Sequence, residues 1–244
     1  DLIQNIEPFV TFKSDSRSGD RNFSFKKFFQ YSDNQLLLRS QRVVEKASGY
    51  KDLTDDGIDN PKYMGNPYKY YAQYKNRYAD FLRFGITMEK DYGEKFFNGY
   101  NSQGFDYYSG YVSLRNTKLF DALILGDYHV RFGQGLVAWS GFSFGKTPHV
   151  LNIMKKRSGF DEYSSTNENR FFRGVAVSKT INDLKVSGFF SKKPIDANLV
   201  ENKEKRVFTS FQNSGYHRKR SEIEDKNAVM EQVIGGNLAF NFNR

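Results

Sequence analysis

The sequence predicts a mainly β protein: an antiparallel meander that forms all or part of an outer-membrane-type β-barrel, interrupted by two short helices. Apolar and polar residues alternate in several segments, which is the pattern of strands with two unlike faces. These segments run about 9–13 residues, longer than typical globular strands and close to the length of a membrane-spanning strand. The chain also holds 24 Phe, 16 Tyr, 20 Gly and only 5 Pro, which favours strands and tight turns.

The strands are predicted in chain order from this alternation. Leu82, Phe84, Ile86 and Met88 form one apolar row, which we expect to meet lipid. Similar rows appear at 108–114, 122–132 and 234–242. Further strands are predicted near 23–31, 36–46, 70–74, 173–179, 184–191 and 206–212. The short breaks at 76–80 and 180–183 predict hairpins between antiparallel neighbours. The total is roughly nine or ten strands, as in an up-and-down meander.

Two helices are expected within the longer breaks. Thr147 and Pro148 are typical of a helix start, and Gly159 is a stop signal. Ser221 with Glu224 matches a capping box. The apolar residues expected on that second helix are Ile223, Val229, Met230 and Val233.

Residue types and spacings argue against most chemistry. The absence of Cys excludes disulfides and thiolate sites, and His129, His149 and His217 lack partners at metal-ligand spacings. The acidic loop at 52–59 fits either bound calcium or a solvated loop, because it lacks the full calcium pattern. The glycine-rich stretch at 133–146 does not match a phosphate loop. We therefore predict no catalytic residues, no metal and no cofactor, and a protein that is not an enzyme.

Charge suggests where partners could bind. The net charge of +9 is compatible with nucleic acid, anionic lipid, an acidic glycan or a plain basic surface. Two basic patches stand out: Lys155, Lys156 and Arg157, and Arg218, Lys219 and Arg220. The first lies in the last turn of a predicted helix, where cations suit the helix dipole. Polar positions on the predicted strands give the lumen-facing candidates Arg83, Asp127, His129 and Arg131.

Several motifs resemble those of large outer-membrane proteins of Bacteroidota, which carry helix-hairpin-helix repeats ahead of a long β-barrel. The motifs are Gly126-Asp127-Tyr128, Phe132-Gly133-Gln134-Gly135-Leu136, Trp139-Ser140-Gly141-Phe142, Phe144-Gly145-Lys146, Arg170-Phe171-Phe172-Arg173-Gly174, Ser214-Gly215-Tyr216-His217-Arg218 and Glu231-Gln232-Val233-Ile234-Gly235-Gly236-Asn237. The resemblance implies that residues 1–12 are the tail of a helix-hairpin-helix region. It also implies that residues 13–244 are a barrel segment continuing beyond Arg244.

This resemblance further implies a bacterial outer-membrane location, membrane lipid as a partner and an envelope protein as a further partner. DNA would be bound by the glycine hairpins of the repeats, which would precede Asp1, so no DNA-contacting residue is assigned here. The leading hypothesis is a non-enzymatic outer-membrane component with a structural or transport role. One rival is a soluble basic β module that binds nucleic acid; another is an accessory subunit of a larger envelope complex.

Overall fold

The computed structural model describes residues 31–51, 62–140, 158–202 and 205–240. From Ser32 onward these residues belong to one compact unit. Its strands are β1 (Ser32–Arg42), β2 (Tyr68–Tyr78), β3 (Leu82–Lys90), β4 (Tyr107–Arg115), β5 (Ala122–Arg131), β6 (Gly159–Glu162), β7 (Phe172–Ile181), β8 (Leu184–Ile195), β9 (Ala197–Asn202), β10 (Lys205–Phe211) and β11 (Val229–Phe240). The described residues also contain a 3-10 turn at Ser48–Tyr50 and one α-helix, α1 (Arg220–Glu224).

The main sheet is an antiparallel meander, so the prediction of a mainly β, antiparallel meander is confirmed. Its strand order is β1-β2-β3-β4-β5-β7-β8-β11. Strand β6 pairs with part of one edge of β5, and β9 and β10 form a separate hairpin. All these pairings are antiparallel.

Strand prediction succeeded where the alternation was long. Most predicted strands correspond to observed ones, and several extend further: the pattern at 70–74 belongs to β2, and the one at 184–191 to β8. The short strands β6 and β9 were not predicted, because four to six residues carry little periodic signal. The predicted strand at 23–31 lies almost wholly outside the described residues, as do the acidic loop at 52–59 and most of the first predicted helix.

The second predicted helix is present but shorter than expected. It spans Arg220–Glu224, and Val229 already belongs to β11. Glu222 caps its start, because the carboxylate accepts the backbone N–H groups of Arg218 and Lys219 at 2.8 and 3.2 Å. From Val229 onward the chain forms β11, in agreement with its period-two alternation and not with the helical spacing that predicted a longer helix. Within the described part of the chain, no helix is long and apolar enough to cross a membrane.

The two ends of the sheet differ in the length of their connections. At one end, which we call the turn end, neighbouring strands are joined by residues 79–81, 116–121 and 182–183. The other end, which we call the loop end, carries the connections 43–67, 91–106, 132–171 and 196–228. Strands β6, β9 and β10 and helix α1 all belong to these long connections. Among the described residues, most of those outside the main sheet therefore lie at the loop end.

Strand β5 bends at Gly126. The register places Arg115 beside Ala122 and Phe160 beside Val130, and a straight strand would separate those two positions by roughly 26 Å. Yet the Arg115 guanidinium donates to the Phe160 carbonyl at 2.9 Å. Gly126 has a φ of +101°, and a Cβ there would lie 2.2 Å from a backbone carbonyl of β4. Only glycine fits this bend.

The apolar core lies inside the bend. It contains rings that meet edge-on, with Phe160 at 6.2 Å from Tyr128 and 6.1 Å from Phe189. The buried members are Ile124, Tyr128, Val130, Phe160, Ala176 and Phe189. The bend brings both halves of β5 into this one cluster, because Ile124 precedes Gly126 and Val130 follows it.

Candidate functional site: two unlike faces and a charged cluster

One face of the sheet is apolar and exposed, and we call it the apolar face. Strand pairing places Val112, Leu125, Val175, Phe190 and Ile234 in one row across five strands. Each of these side chains is more than two-fifths exposed, and that of Ile234 is 83% exposed. Further exposed apolar residues on this face are Leu36, Leu38, Ile86, Val186, Leu238 and Phe240.

The opposite face, which we call the polar face, is largely buried. Gln73, Thr87 and Ser109 lie side by side on β2, β3 and β4, and all three are buried. Gln73 donates to the Thr87 hydroxyl at 3.0 Å. Strand register places further polar residues on this face: Arg83, Glu89, Ser113, Ser178, Ser187, Ser191 and Lys193. The core residues Ile124, Ala176 and Phe189 lie in register with Ser113, so this face also contains a buried apolar patch. A water-soluble sheet ordinarily buries its apolar face and exposes its polar one.

The four residues predicted to face a lumen do not share one face. Arg83 lies on the polar face, 3.7 Å from a carboxylate oxygen of β6. Asp127, His129 and Arg131 follow Leu125 in alternation and have the register of the apolar face, beyond the bend in β5. Alternation predicts which residues share a face within one strand. It does not predict a bend, and the bend decides where the second half of β5 points.

Asp127 occupies the point where β4 separates from β5. Its buried carboxylate accepts two hydrogen bonds from Arg173, at 2.6 and 2.8 Å, and one from the Gly110 backbone N–H at 3.2 Å. Arg173 also donates to the Tyr108 carbonyl at 2.8 Å. The ion pair thus satisfies backbone groups of β4 that no longer pair with β5, which removes the cost of leaving them unbonded.

The other two candidates are bound to the segment that follows β5 and to β6. His129 Nδ1 lies 3.3 Å from the Ser140 hydroxyl, and its ring meets Tyr163 edge-on at 4.9 Å. Arg131 donates to the Asp161 carboxylate at 3.1 Å. Both therefore hold the chain around the bend.

A charged cluster at the loop end centres on His217, which is 1% exposed. Its Nδ1 bonds the Asp106 carboxylate, and its Nε2 lies 2.8 Å from the Asp196 carboxylate. The His217 backbone N–H donates to Glu94 at 2.8 Å, and its carbonyl accepts the Tyr100 hydroxyl at 2.5 Å. One residue thus ties the connection 91–106 to the connection 196–228.

Two more groups complete this cluster. Lys226 donates to Asp106 at 2.8 Å, and the carboxylate of Glu168 has an oxygen within 4.8 Å of ligand atoms of Asp196 and His217. Residues of the cluster line a pocket of about 240 Å³. Glu168 also lines a neighbouring polar pocket of about 260 Å³. The cluster therefore reaches a third long connection, 132–171.

Burial and pairing shift the pKa values of these groups. Burial alone would lower the pKa of His217, but the hydrogen bonds to Asp106 and Asp196 outweigh it and raise that pKa to about 10. Burial raises the pKa of Glu94 to about 7, and the nearby Asp106 adds to the rise. Burial likewise raises the pKa of Glu168 to about 8. For Asp106 and Asp196, burial opposes ionisation, but the bonds from His217 hold both pKa values below normal.

Two sets of three residues in the cluster have ligand atoms within 4.8 Å of one another, which is close enough to bind a metal ion, and both sets include His217. Both nitrogens of this ring already face carboxylates. A doubly hydrogen-bonded imidazolium has no free lone pair for a metal. The geometry fits a buried ion-pair network better than a metal centre.

No family model, curated protein or solved structure matches this chain.

The basic patch at Arg218, Lys219 and Arg220 is largely paired within the protein. Arg218 lies over the rings of Tyr63 and Tyr216, at 4.9 and 3.9 Å. All three cations have glutamate partners, since Glu222 lies near the first two and Glu224 binds the third at 3.2 Å. Lys155, Lys156 and Arg157 lie outside the described residues.

Sequence reasoning missed most of the charged cluster. Asp106 lies 111 positions from His217, and Asp196 lies 21 positions from it, so no local motif links them. The sequence did contain one signal for this cluster. Acidic residues lie just outside the ends of β3, β4 and β8, and a histidine lies in the last long connection. All of these belong to the loop end, where the meander brings its connections together.

Proposed function

We propose that this sheet is part of the wall of an outer-membrane β-barrel, with its apolar face toward lipid and its polar face toward a lumen. The protein has a structural or transport role there and performs no catalysis. The observation that carries the proposal is the distribution of side chains: the apolar face is exposed, whereas the opposite face is buried and carries many polar residues beside the core residues Ile124, Ala176 and Phe189. Ile234 and Leu238 are 83% and 70% exposed, whereas Thr87 and Ser191 on the polar face are 1% and 0% exposed. Lipid is the solvent that favours this arrangement.

The aromatic residues support the proposal. At the loop end, Tyr70 packs against Phe96 at 4.9 Å, and Phe96 against Phe105 at 5.3 Å. At the turn end, Tyr78 packs against Phe81 at 5.5 Å. Aromatic groups at both ends of an apolar band are typical of barrels that cross a membrane, where they lie at the two interfaces.

The unequal connections support it as well. Membrane barrels of bacteria join their strands by short turns on the periplasmic side and by longer loops outside. In this sheet the turn end has connections as short as residues 182–183, whereas the loop end has connections such as 132–171. We therefore place the turn end toward the periplasm and the loop end toward the exterior. The resemblance to Bacteroidota outer-membrane proteins supports the outer-membrane location.

A second candidate, an accessory subunit docked to a larger envelope complex, is favoured by the sheet edges. Strands β1 and β11 each pair with a single neighbour among the described residues. Edges of 11 and 12 residues are suited to receiving a strand from a partner. Co-purification of a stoichiometric envelope protein would favour this candidate.

The test begins with envelopes washed in carbonate and urea, followed by gels of boiled and unboiled samples. Retention with a heat-dependent mobility shift is expected for an embedded barrel. Because the chain has no Cys, Leu238→Cys and Asn237→Cys then probe the two faces of β11 with a water-soluble maleimide. We expect Leu238→Cys to be protected in membranes and to react after denaturation. Release by carbonate, with rapid labelling of Leu238→Cys, would refute the proposal.

A further inference from the structure

Residues 159–170, which we call the inner segment, run across the polar face. Gln73 of β2 donates to the Ser164 carbonyl at 2.8 Å. Lys193 of β8 donates to the carbonyl oxygens of residues 168 and 169, at 3.3 and 3.0 Å. In the strand order, β3, β4, β5 and β7 lie between β2 and β8. The inner segment therefore connects polar side chains from distant strands of the same face.

A charged anchor holds the start of the inner segment. Glu162 accepts a hydrogen bond from Arg115 Nε at 2.7 Å and lies 3.7 Å from the guanidinium of Arg83. Arg115 also donates to the Phe160 carbonyl. The Glu162 and Arg115 side chains are only 13% and 19% exposed. Charges so poorly screened by water interact more strongly than surface pairs do.

We infer that the inner segment is a constriction that limits ion flow along the polar face, and that Glu162 sets both its position and its charge selectivity. This inference rests on the proposed function. Ions that cross a barrel follow its polar interior, and a loop folded across that interior narrows or closes the path. Charged side chains at a constriction decide which ions pass. Here Glu162 lies between the guanidinium groups of Arg83 and Arg115, and Asp161 lies 4.0 Å from that of Arg115.

The experiment uses the full chain inserted into planar lipid bilayers, with potassium chloride as the probe. Glu162→Gln removes the carboxylate charge while keeping the shape of the side chain. We expect conductance to rise roughly twofold or more and selectivity to shift toward chloride, because Arg83 loses the carboxylate beside it and Arg115 keeps only the more distant Asp161, at 4.0 Å. The shift is read as a change in reversal potential across a salt gradient. Glu224→Gln is the matched control, since that exposed carboxylate lies on α1 and pairs with Arg220 at 3.2 Å.

A second variant tests whether the position of the inner segment, independently of its charge, limits the conductance. Gln73→Cys with Ser164→Cys puts thiols on the two sides of an existing contact. Bridging them in the Glu162→Gln background with a short bifunctional thiol reagent is expected to reverse the rise in conductance. Unchanged conductance and selectivity in Glu162→Gln, with a normal heat-dependent gel shift, would overturn the constriction alone. Loss of the gel shift in the unmodified protein would overturn the proposed function, and the constriction with it.

Discussion

Arg173 and Asp127 form a two-bond ion pair, at 2.6 and 2.8 Å, where β4 and β5 separate. The pair does more than balance charge. Through Gly110 and Tyr108 it also satisfies the backbone of a strand that has left its neighbour. The sheet therefore opens at this point with the Gly110 N–H and the Tyr108 carbonyl still hydrogen-bonded.

Arg173→Met is expected to destabilise the protein strongly, because it leaves the 1% exposed Asp127 carboxylate without its counter-charge. Because the Arg173 side chain is itself 37% exposed, the loss should be smaller than for a fully buried pair, roughly 2–3 kcal/mol in the free energy of unfolding. Urea titration in detergent, followed by circular dichroism, measures it. Arg77→Met is the control: Arg77 and Asp33 are exposed and 3.6 Å apart, so its loss should cost below about 1 kcal/mol. Equal effects in the two variants would contradict the role assigned to the buried pair.

Gly126→Ala tests the bend in β5. The new methyl group would lie 2.2 Å from the Gly110 carbonyl oxygen, at a φ of +101°, so the backbone would have to shift. Gly133→Ala has a φ of +55° but no atom within 4 Å of the new Cβ, so it should cost only the roughly 1–2 kcal/mol of left-handed backbone. We expect a clearly larger drop in the thermal midpoint for Gly126→Ala. Equal drops in the thermal midpoint of the two variants would contradict the importance of the close approach between Gly126 and β4.

Ile234→Arg tests whether the apolar face contacts lipid or water. In a membrane, a cation at the middle of a lipid-facing strand costs about 2–4 kcal/mol, so assembly into membranes should fall. Asn237→Arg introduces the same cation with the register of the polar face, where we expect a smaller effect. The fraction of heat-shifted protein on unboiled gels measures assembly. In a soluble protein the outcome would differ, because Ile234 is 83% exposed and arginine there would be tolerated.

We expect the charged cluster at the loop end to make the protein most stable in mild acid. The pKa of His217 rises from 6.5 to about 10 on folding, so its contribution is complete below pH 6.5 and is lost as the pH rises toward 10. The raised pKa values of Glu94 and Glu168 act in the same direction, because the folded state keeps protons that the unfolded state releases. The lowered pKa values of Asp106 and Asp196 contribute stability that disappears as the pH falls through them.

Unfolding free energies measured between pH 3 and pH 10 test this profile. We expect a decline on the alkaline side that is shallower in His217→Gln, since that variant has no imidazolium to lose. Resistance of the connections 91–106 and 196–228 to protease should follow the same profile. A stability curve that is flat from pH 6 to pH 10 would contradict the assignment of a raised pKa to His217.

The sequence by itself determined the antiparallel meander, because alternation over about ten residues places whole rows of side chains on one face. The row from Leu82 to Met88 and the row from Ile234 to Phe242 were both predicted from that periodicity, and the described residues of both belong to long strands. The tertiary structure alone decided three things: the bend at Gly126, the path of residues 159–170 and the meeting of His217 with Asp106 and Asp196. Each depends on contacts between residues far apart in the chain, and period-two alternation carries no information about such contacts.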